Sequence, residues 1–342
     1  MGVTKDLKGL AILAVIFSHF GYFLASDHRF LYPLSIIAGV GVNLFLFLSG
    51  YGLVASSLKK KFGRLGESWR RLLKLFIPLW IILIVYFLLD YFFLDISYPA
   101  VYVIRSFFGL FLRADVFSDL NSPLWYFTLI LFYYLAFHLV FIKKAPWLSA
   151  LIIYWVSYWL LGGEAGYLKE SEYLKDIIHL YKLHLLAFPL GMVFGNIYSS
   201  GLKNKLVNFY QPFIGYSGKL AFLKKTLYFL FIALLLFVAA YTAVHSGVGE
   251  GPEVEERRSL ITMAAIVILF IISRYQSKLF TIFGLYSYEI YLLHWPLASR
   301  YDIFFKMVPA WLAVILYLVL FLALAWILQK ISKLLYDKLK LA

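Results

Sequence analysis

The chain has 342 residues, 63% of them hydrophobic and 15% charged, with a mean hydropathy of +0.83, which excludes an ordinary soluble globular domain. Its 32 Lys and Arg against 18 Asp and Glu give a net charge of +14, but the basic residues sit in short segments between apolar runs, the pattern of membrane topology and not of nucleic-acid binding. The absence of cysteine excludes disulfides, thiolate nucleophiles and cysteine metal sites.

A helix crosses a bilayer in about 20 apolar residues. Runs of that kind predict ten spans at 8–26, 35–56, 72–93, 122–142, 146–161, 180–199, 222–243, 258–273, 279–298 and 308–330, the fifth and eighth being short. Continuous apolar runs exclude the alternating strands of a membrane barrel and leave helices as the form that satisfies every backbone polar group in lipid. The expected fold is therefore all-α, a polytopic transmembrane helix bundle forming one domain over residues 1–342 with no separate soluble domain. The first run has a Lys-bearing flank but no small-residue cleavage signal, so it reads as a retained helix. With both termini cytoplasmic, the inner segments collect Lys5, Lys8, the basic block from Lys59 to Lys74, Lys143, Lys144, Lys203, Lys205, Lys219, Arg274, Lys278 and the C-terminal lysines. Asp115, Asp119, Glu164, Glu170, Glu172, Asp176, Glu250 and Glu253 then fall outside, a bias that disfavours an odd number of spans.

Polar groups inside spans are costly and mark functional candidates. Lys8 and His19 stand eleven residues apart, about 16 Å and three turns, so they share one helix face. His19 is either a proton acceptor or a packing contact to another helix. The second span offers Asn43, Ser49 and Tyr51 as hydrogen-bonding groups, with Gly50 allowing close backbone approach. Gly39 with Gly41, and Gly191 with Gly195, suit close helix packing. Arg70, Arg71 and Lys74 either dock a phosphate-bearing donor or serve as a topology signal on anionic lipid. Trp125 and Tyr126 open the fourth span as an interfacial belt or as flat faces for an acceptor sugar. In the ninth span Pro296 disturbs the bonding of the turn that holds His294, and Tyr291 lies three residues before that histidine, on the same surface. Glu289 is placed to hold a cationic partner. His28, His138, His179, His184 and His245 are weaker leads. Neither HExxH nor a nucleotide-binding glycine motif occurs, so no metal and no ATPase reading is expected.

These blocks resemble the membrane acyltransferase family 3, which includes bacterial acetylases of O-antigen and exopolysaccharide. The resemblance covers nearly the whole chain: Lys8 through His19, Gly41-Val42 through Leu48-Ser49-Gly50-Tyr51, Arg70-Arg71 through Pro78, Leu124-Trp125-Tyr126-Phe127, and Ser287-Tyr288, Tyr291-Leu292 and His294 to Pro296. Lys8 departs from the arginine the family prefers and loses its two-pronged geometry toward phosphate. The resemblance implies a membrane-bound, acyl-coenzyme A-dependent O-acyltransferase of the bacterial cytoplasmic membrane. It would transfer an acyl group, acetyl in the first instance, to a hydroxyl of an envelope polysaccharide, glycolipid or lipid-linked saccharide. In that scheme His19 is the general base, and Ser49, Asn43, Tyr291 or His294 stabilises the oxyanion. Lys8, Arg70, Arg71 and Lys74 hold the donor's phosphates, and Trp125 and Tyr126 receive the acceptor. No tightly bound cofactor is expected, with acetyl-coenzyme A serving as donor substrate. The competing reading is a transporter or flippase of a lipid-linked or acylated saccharide, with the histidines as gates.

Overall fold

Continuous apolar runs call for helices, and among the described residues every extended regular element is one. The computed structural model describes residues 3–23, 38–59, 65–112, 122–162, 164–165, 174–202, 219–245, 252–273 and 275–340. His28, Lys60, Lys61, Arg64, Asp115, Asp119, Glu170, Glu172, Lys203, Lys205, Glu250 and Arg274 lie outside them.

The helices are α1 (Thr4–Phe23), α2 (Ala38–Lys59), α3 (Leu65–Leu94), α4 (Ala100–Phe107), α5 (Trp125–Val140), α6 (Pro146–Leu160), α7 (Lys175–Lys182), α8 (Ala187–Ile197), α9 (Lys219–Val244), α10 (Pro252–Ser273), α11 (Lys278–Leu285), α12 (Ser287–Trp295) and α13 (Ala310–Lys338). Five stretches are long and apolar enough to cross a membrane: Gly39–Lys59, Arg70–Leu94, Ile177–Gly201, Phe222–Val244 and Ala310–Lys338. The chain is thus a multi-pass membrane protein. The other predicted spans fall on α1, α5, α6, α10 and the α11–α12 pair.

Two predicted spans are interrupted. The sixth divides at 183–186, before Pro189 in the first turn of α8, where a missing N–H is tolerated. The ninth breaks at Tyr286, and α12 gives way at Pro296 to a π-helical turn, Pro296–Arg300. The short helix α4, entered through Pro99, lies in a stretch where no span was predicted.

The described residues form two compact units. One comprises Met1–Phe62, Val140–Glu164 and His179–Leu285; the other comprises Gly63–Leu139, Ala165–Ile178 and Tyr286–Ala342. In the first unit, glycines bring backbones together. A Cβ at Gly50 or Gly191 would meet the carbonyl oxygens of Phe188 and Phe47, and one at Gly195 would stand 3.0 Å from that of Tyr51, so α2 and α8 touch along their main chains. At Gly41 a Cβ would lie 2.7 Å from the Ala11 carbonyl oxygen, which seats α2 on α1. Gly9 and Gly284 do the same for α1 and α11.

In the second unit, tyrosine hydroxyls satisfy carbonyls near prolines. Pro78 inside α3 has no N–H for the carbonyl of Lys74, four residues earlier, and Tyr336 of α13 donates to that oxygen at 2.9 Å. Beside Pro296, the Leu293 carbonyl accepts from Tyr86 of α3 at 3.2 Å, so another helix serves this turn. Glu289 on α12 accepts from Gln329 Nε2 of α13 at 3.4 Å.

Candidate functional site

Lys8, His19, Asn43 and Ser49 belong to the first unit. The uninterrupted α1 carries Lys8, exposed, and His19, half-buried. Ser49 is half-buried on α2, and Asn43 on the same helix is fully buried. Asn43 uses both ends of its amide. Its Oδ1 accepts from His184 Nδ1 at 2.8 Å, and its Nδ2 donates to Ser259 Oγ at 2.8 Å. His184 sits in the turn between α7 and α8 and Ser259 lies on α10, so this buried trio joins three regions of the unit. Of the three, His184 was a weaker lead in the sequence, a polar residue set between Leu183 and Leu185 in an apolar run, and Ser259 was not singled out.

Arg70, Arg71, Lys74, Trp125, Tyr126, Tyr291 and His294 belong to the second unit. Arg70 and Lys74 are exposed and Arg71 is half-buried on α3. The Lys74 ammonium stands 5.9 Å from the centre of the Tyr336 ring. The structure gathers four of the seven into one aromatic chain. Trp125 and Tyr126 pack edge to face at 6.4 Å, Tyr126 meets Tyr291 at 5.5 Å, and Tyr291 faces His294 at 6.2 Å.

His294 is buried, and its Nδ1 lies 2.8 Å from the Tyr291 carbonyl oxygen and 3.2 Å from that of Ile290. A carbonyl only accepts, so Nδ1 carries the proton, and the neutral ring has its lone pair on Nε2. In that tautomer Nε2 accepts hydrogen bonds and does not donate them. The Tyr291 hydroxyl, also buried, donates to the Pro123 carbonyl at 2.8 Å.

A second polar cluster in this unit was not anticipated. Asp90, with its side chain fully buried, accepts from Arg300 Nε at 3.0 Å, from the Tyr301 hydroxyl at 2.8 Å and from the Tyr98 hydroxyl. Arg300 also donates to the Tyr98 oxygen at 2.9 Å. Burial, and after it the hydrogen bond and charge of Asp90, hold the Tyr301 phenol well above its ordinary pKa. Asp90 was visible as a lone acid in the run Leu88-Leu89-Asp90-Tyr91-Phe92, but nothing local pointed to Arg300 as its partner. No group of three or more His, Cys, Asp or Glu able to hold a metal occurs among the described residues.

A family model described as an acyltransferase domain matches residues 6–330. No curated protein and no solved structure matches the chain.

Proposed function

The chain belongs to membrane acyltransferase family 3 and is a membrane enzyme of the acyl-transfer type, and from that premise we propose that it moves acetyl from acyl-coenzyme A to a hydroxyl of a cell-surface polysaccharide, glycolipid or lipid-linked saccharide. The observation that carries this reading is a family match running from residue 6 to residue 330, through every block that holds a candidate residue.

An unactivated sugar hydroxyl is a poor nucleophile at neutral pH, so a base must take its proton as attack develops, a contribution of roughly 100- to 10,000-fold in rate. His19 is that base. The hydroxyl oxygen forms a C–O bond to the thioester carbon, the C–S bond breaks, and the proton passes through the histidine to the departing thiolate, which leaves as coenzyme A thiol. Negative charge gathered on the carbonyl oxygen meanwhile needs a donor, worth about 3 to 4 kcal/mol in comparable sites. Tyr291 supplies one only if its hydroxyl leaves Pro123, and His294 only as imidazolium. Ser49 and Asn43 are the remaining candidates. We assign the coenzyme phosphates to Lys8, Arg70, Arg71 and Lys74 on their charge; Arg70 and Lys74 stand one turn apart on α3. Trp125 and Tyr126 offer ring faces to the acceptor.

The test is mass spectrometry of envelope glycans from cells producing wild type or His19→Ala, with membrane abundance measured in parallel. Ester content should fall to the level of cells lacking the protein. Equal ester content at equal abundance would remove the base role. Saccharide movement without any new ester would favour the transporter reading.

A further inference from the structure

We propose that the fourth crossing of the membrane is broken at mid-depth, with α4 as a half-membrane helix and α5 beginning inside the bilayer, and that the opening left on the outer side admits the saccharide acceptor to Trp125 and Tyr126. The inference rests on the acyl-transfer reading above and deepens it by giving the acceptor its route.

The depth of α4 follows from its contacts along α3. Before its first turn the Ile96 N–H donates to the Asp90 carbonyl at 3.1 Å, and the Tyr98 and Tyr102 rings meet Phe87 at 5.1 and 6.3 Å. Farther on, the Phe107 carbonyl accepts from Trp80 Nε1 at 2.8 Å, and a Cβ at Gly109 would stand 3.3 Å from the Phe76 ring. The segment therefore runs antiparallel to α3 from the level of Asp90 to that of Phe76, fourteen residues or about 21 Å within the apolar stretch Arg70–Leu94. A helix lying flat on the headgroups does not make such a ladder of contacts. The exposed face carries Val101, Ile104 and Phe108, which suits hydrocarbon. Arg105 shares that face, but side chains lean toward a helix's N-terminus, here back toward the outer end, so its long stem lifts the charge toward the headgroups.

Backbone without helical bonding is tolerated at this depth only where protein serves it. At Gly109, where φ is +71°, Thr128 of α5 does so: its hydroxyl donates to the Gly109 carbonyl at 2.9 Å and accepts from the Phe111 N–H at 2.8 Å. The start of α5 is equally deep. Pro123 and Leu124 border the same void as Ile82, Leu83 and Tyr86, near the middle of the apolar stretch of α3, and Phe127 meets Phe76 at 5.2 Å. From there α5 has 16 residues, about 24 Å, too few to cross a core of about 30 Å. Trp125 and Tyr126 thus stand well inside the bilayer and not at the headgroup level of an aromatic belt. One turn of α3 above Tyr86 lies the Asp90 cluster, in which Arg300 keeps 17% of its side chain exposed, so a polar group stands between the outer end and the start of α5. That chemistry fits a hydroxyl-rich saccharide and not a lipid tail.

The chain has no cysteine, so single thiols report on it cleanly. Val101 and Phe108 are both exposed, at the two ends of the outer face of α4 and seven residues apart. Nitroxides on Val101→Cys and Phe108→Cys, in the full-length protein in phosphatidylcholine vesicles, are read by collision with oxygen and with a water-soluble nickel chelate. The label at 108 should lie deeper than that at 101 by about 10 Å. Equal or reversed depths overturn the half-membrane helix. In intact cells an impermeant maleimide carrying a hexose should label Trp125→Cys and should not label Ile84→Cys, exposed on α3 at the same level. If Trp125→Cys does not accumulate, Tyr126→Cys decides. Labelling at the start of α5 only after permeabilisation, or equal labelling of Ile84→Cys, overturns the outer opening. Neither readout needs acyl transfer, so failure here leaves the acyltransferase reading standing, and failure of that reading shows in the ester assay above.

Discussion

Asn43 is buried with both ends of its amide in use, so its replacement reaches two other side chains at once. Asn43→Leu keeps the number and branching of the side-chain heavy atoms but strands the His184 Nδ1–H and the Ser259 hydroxyl, each a loss of about 1 to 3 kcal/mol when no partner replaces it. Thermal unfolding in detergent should show a clear drop in midpoint, and a variant melting with wild type would mean the trio holds nothing together. Tyr301 is informative at the other end of the pH scale. Its phenol is held neutral by burial and by Asp90, while in the unfolded chain it ionises near pH 10. Above that pH the unfolded state releases a proton that the folded state keeps, so stability is complete below about 10 and declines as pH rises. Midpoints measured from pH 9 to 11 should fall less steeply for Tyr301→Phe than for wild type. An identical slope would show that the phenol is not shielded.

At the level of helices, the same residue type does opposite things depending on what faces it. Gly191 and Gly52 both sit inside helices, yet a Cβ at Gly191 runs into the Phe47 main chain, whereas one at Gly52 meets nothing within 4 Å. Gly191→Ala forces α2 and α8 apart, an overpacking cost of about 1 to 3 kcal/mol. Gly52→Ala only relieves the entropic penalty of glycine in a helix, about 1 kcal/mol in the stabilising direction. Paired melting curves should therefore move to either side of wild type, and a shared direction would refute the main-chain contact. The contact was half legible beforehand: the spacing of Gly191 and Gly195 marked a packing face, but the partner helix could not be read from spacing. Pro78 shows the same limit. Its missing N–H announces an unserved carbonyl at Lys74, while the hydroxyl that serves it comes from Tyr336, far along the chain.

Across the whole chain, what the sequence made legible was whatever a helix fixes within its own few turns. The all-helical character and the long apolar helices, the single helix bearing Lys8 and His19, and the shared surface of Tyr291 and His294 are of that kind. Pairings such as Asn43 with Ser259, 216 residues apart, or Asp90 with Arg300, 210 apart, depend on which helices lie side by side, and a periodic pattern carries no such information. Topology lies between the two, because the sign of each loop is local while its side of the membrane depends on every span before it. The absence of cysteine allows a direct test, since any introduced thiol is unique. Lys143, exposed between α5 and α6, and Lys306, exposed between the π-helical turn and α13, are separated by five predicted spans. An odd separation puts them on opposite faces, residue 143 inside and residue 306 outside. A membrane-impermeant maleimide applied to intact cells should label Lys306→Cys at once and Lys143→Cys only after permeabilisation. Labelling of both from outside would break the span count between them, and the reverse pattern would invert the chain. Because two predicted spans separate Arg70 from Lys143, the thiol at 143 also reports the side of Arg70, Arg71 and Lys74. Those three cations can hold the phosphates of a cytosolic coenzyme only if that thiol is shielded in the intact cell.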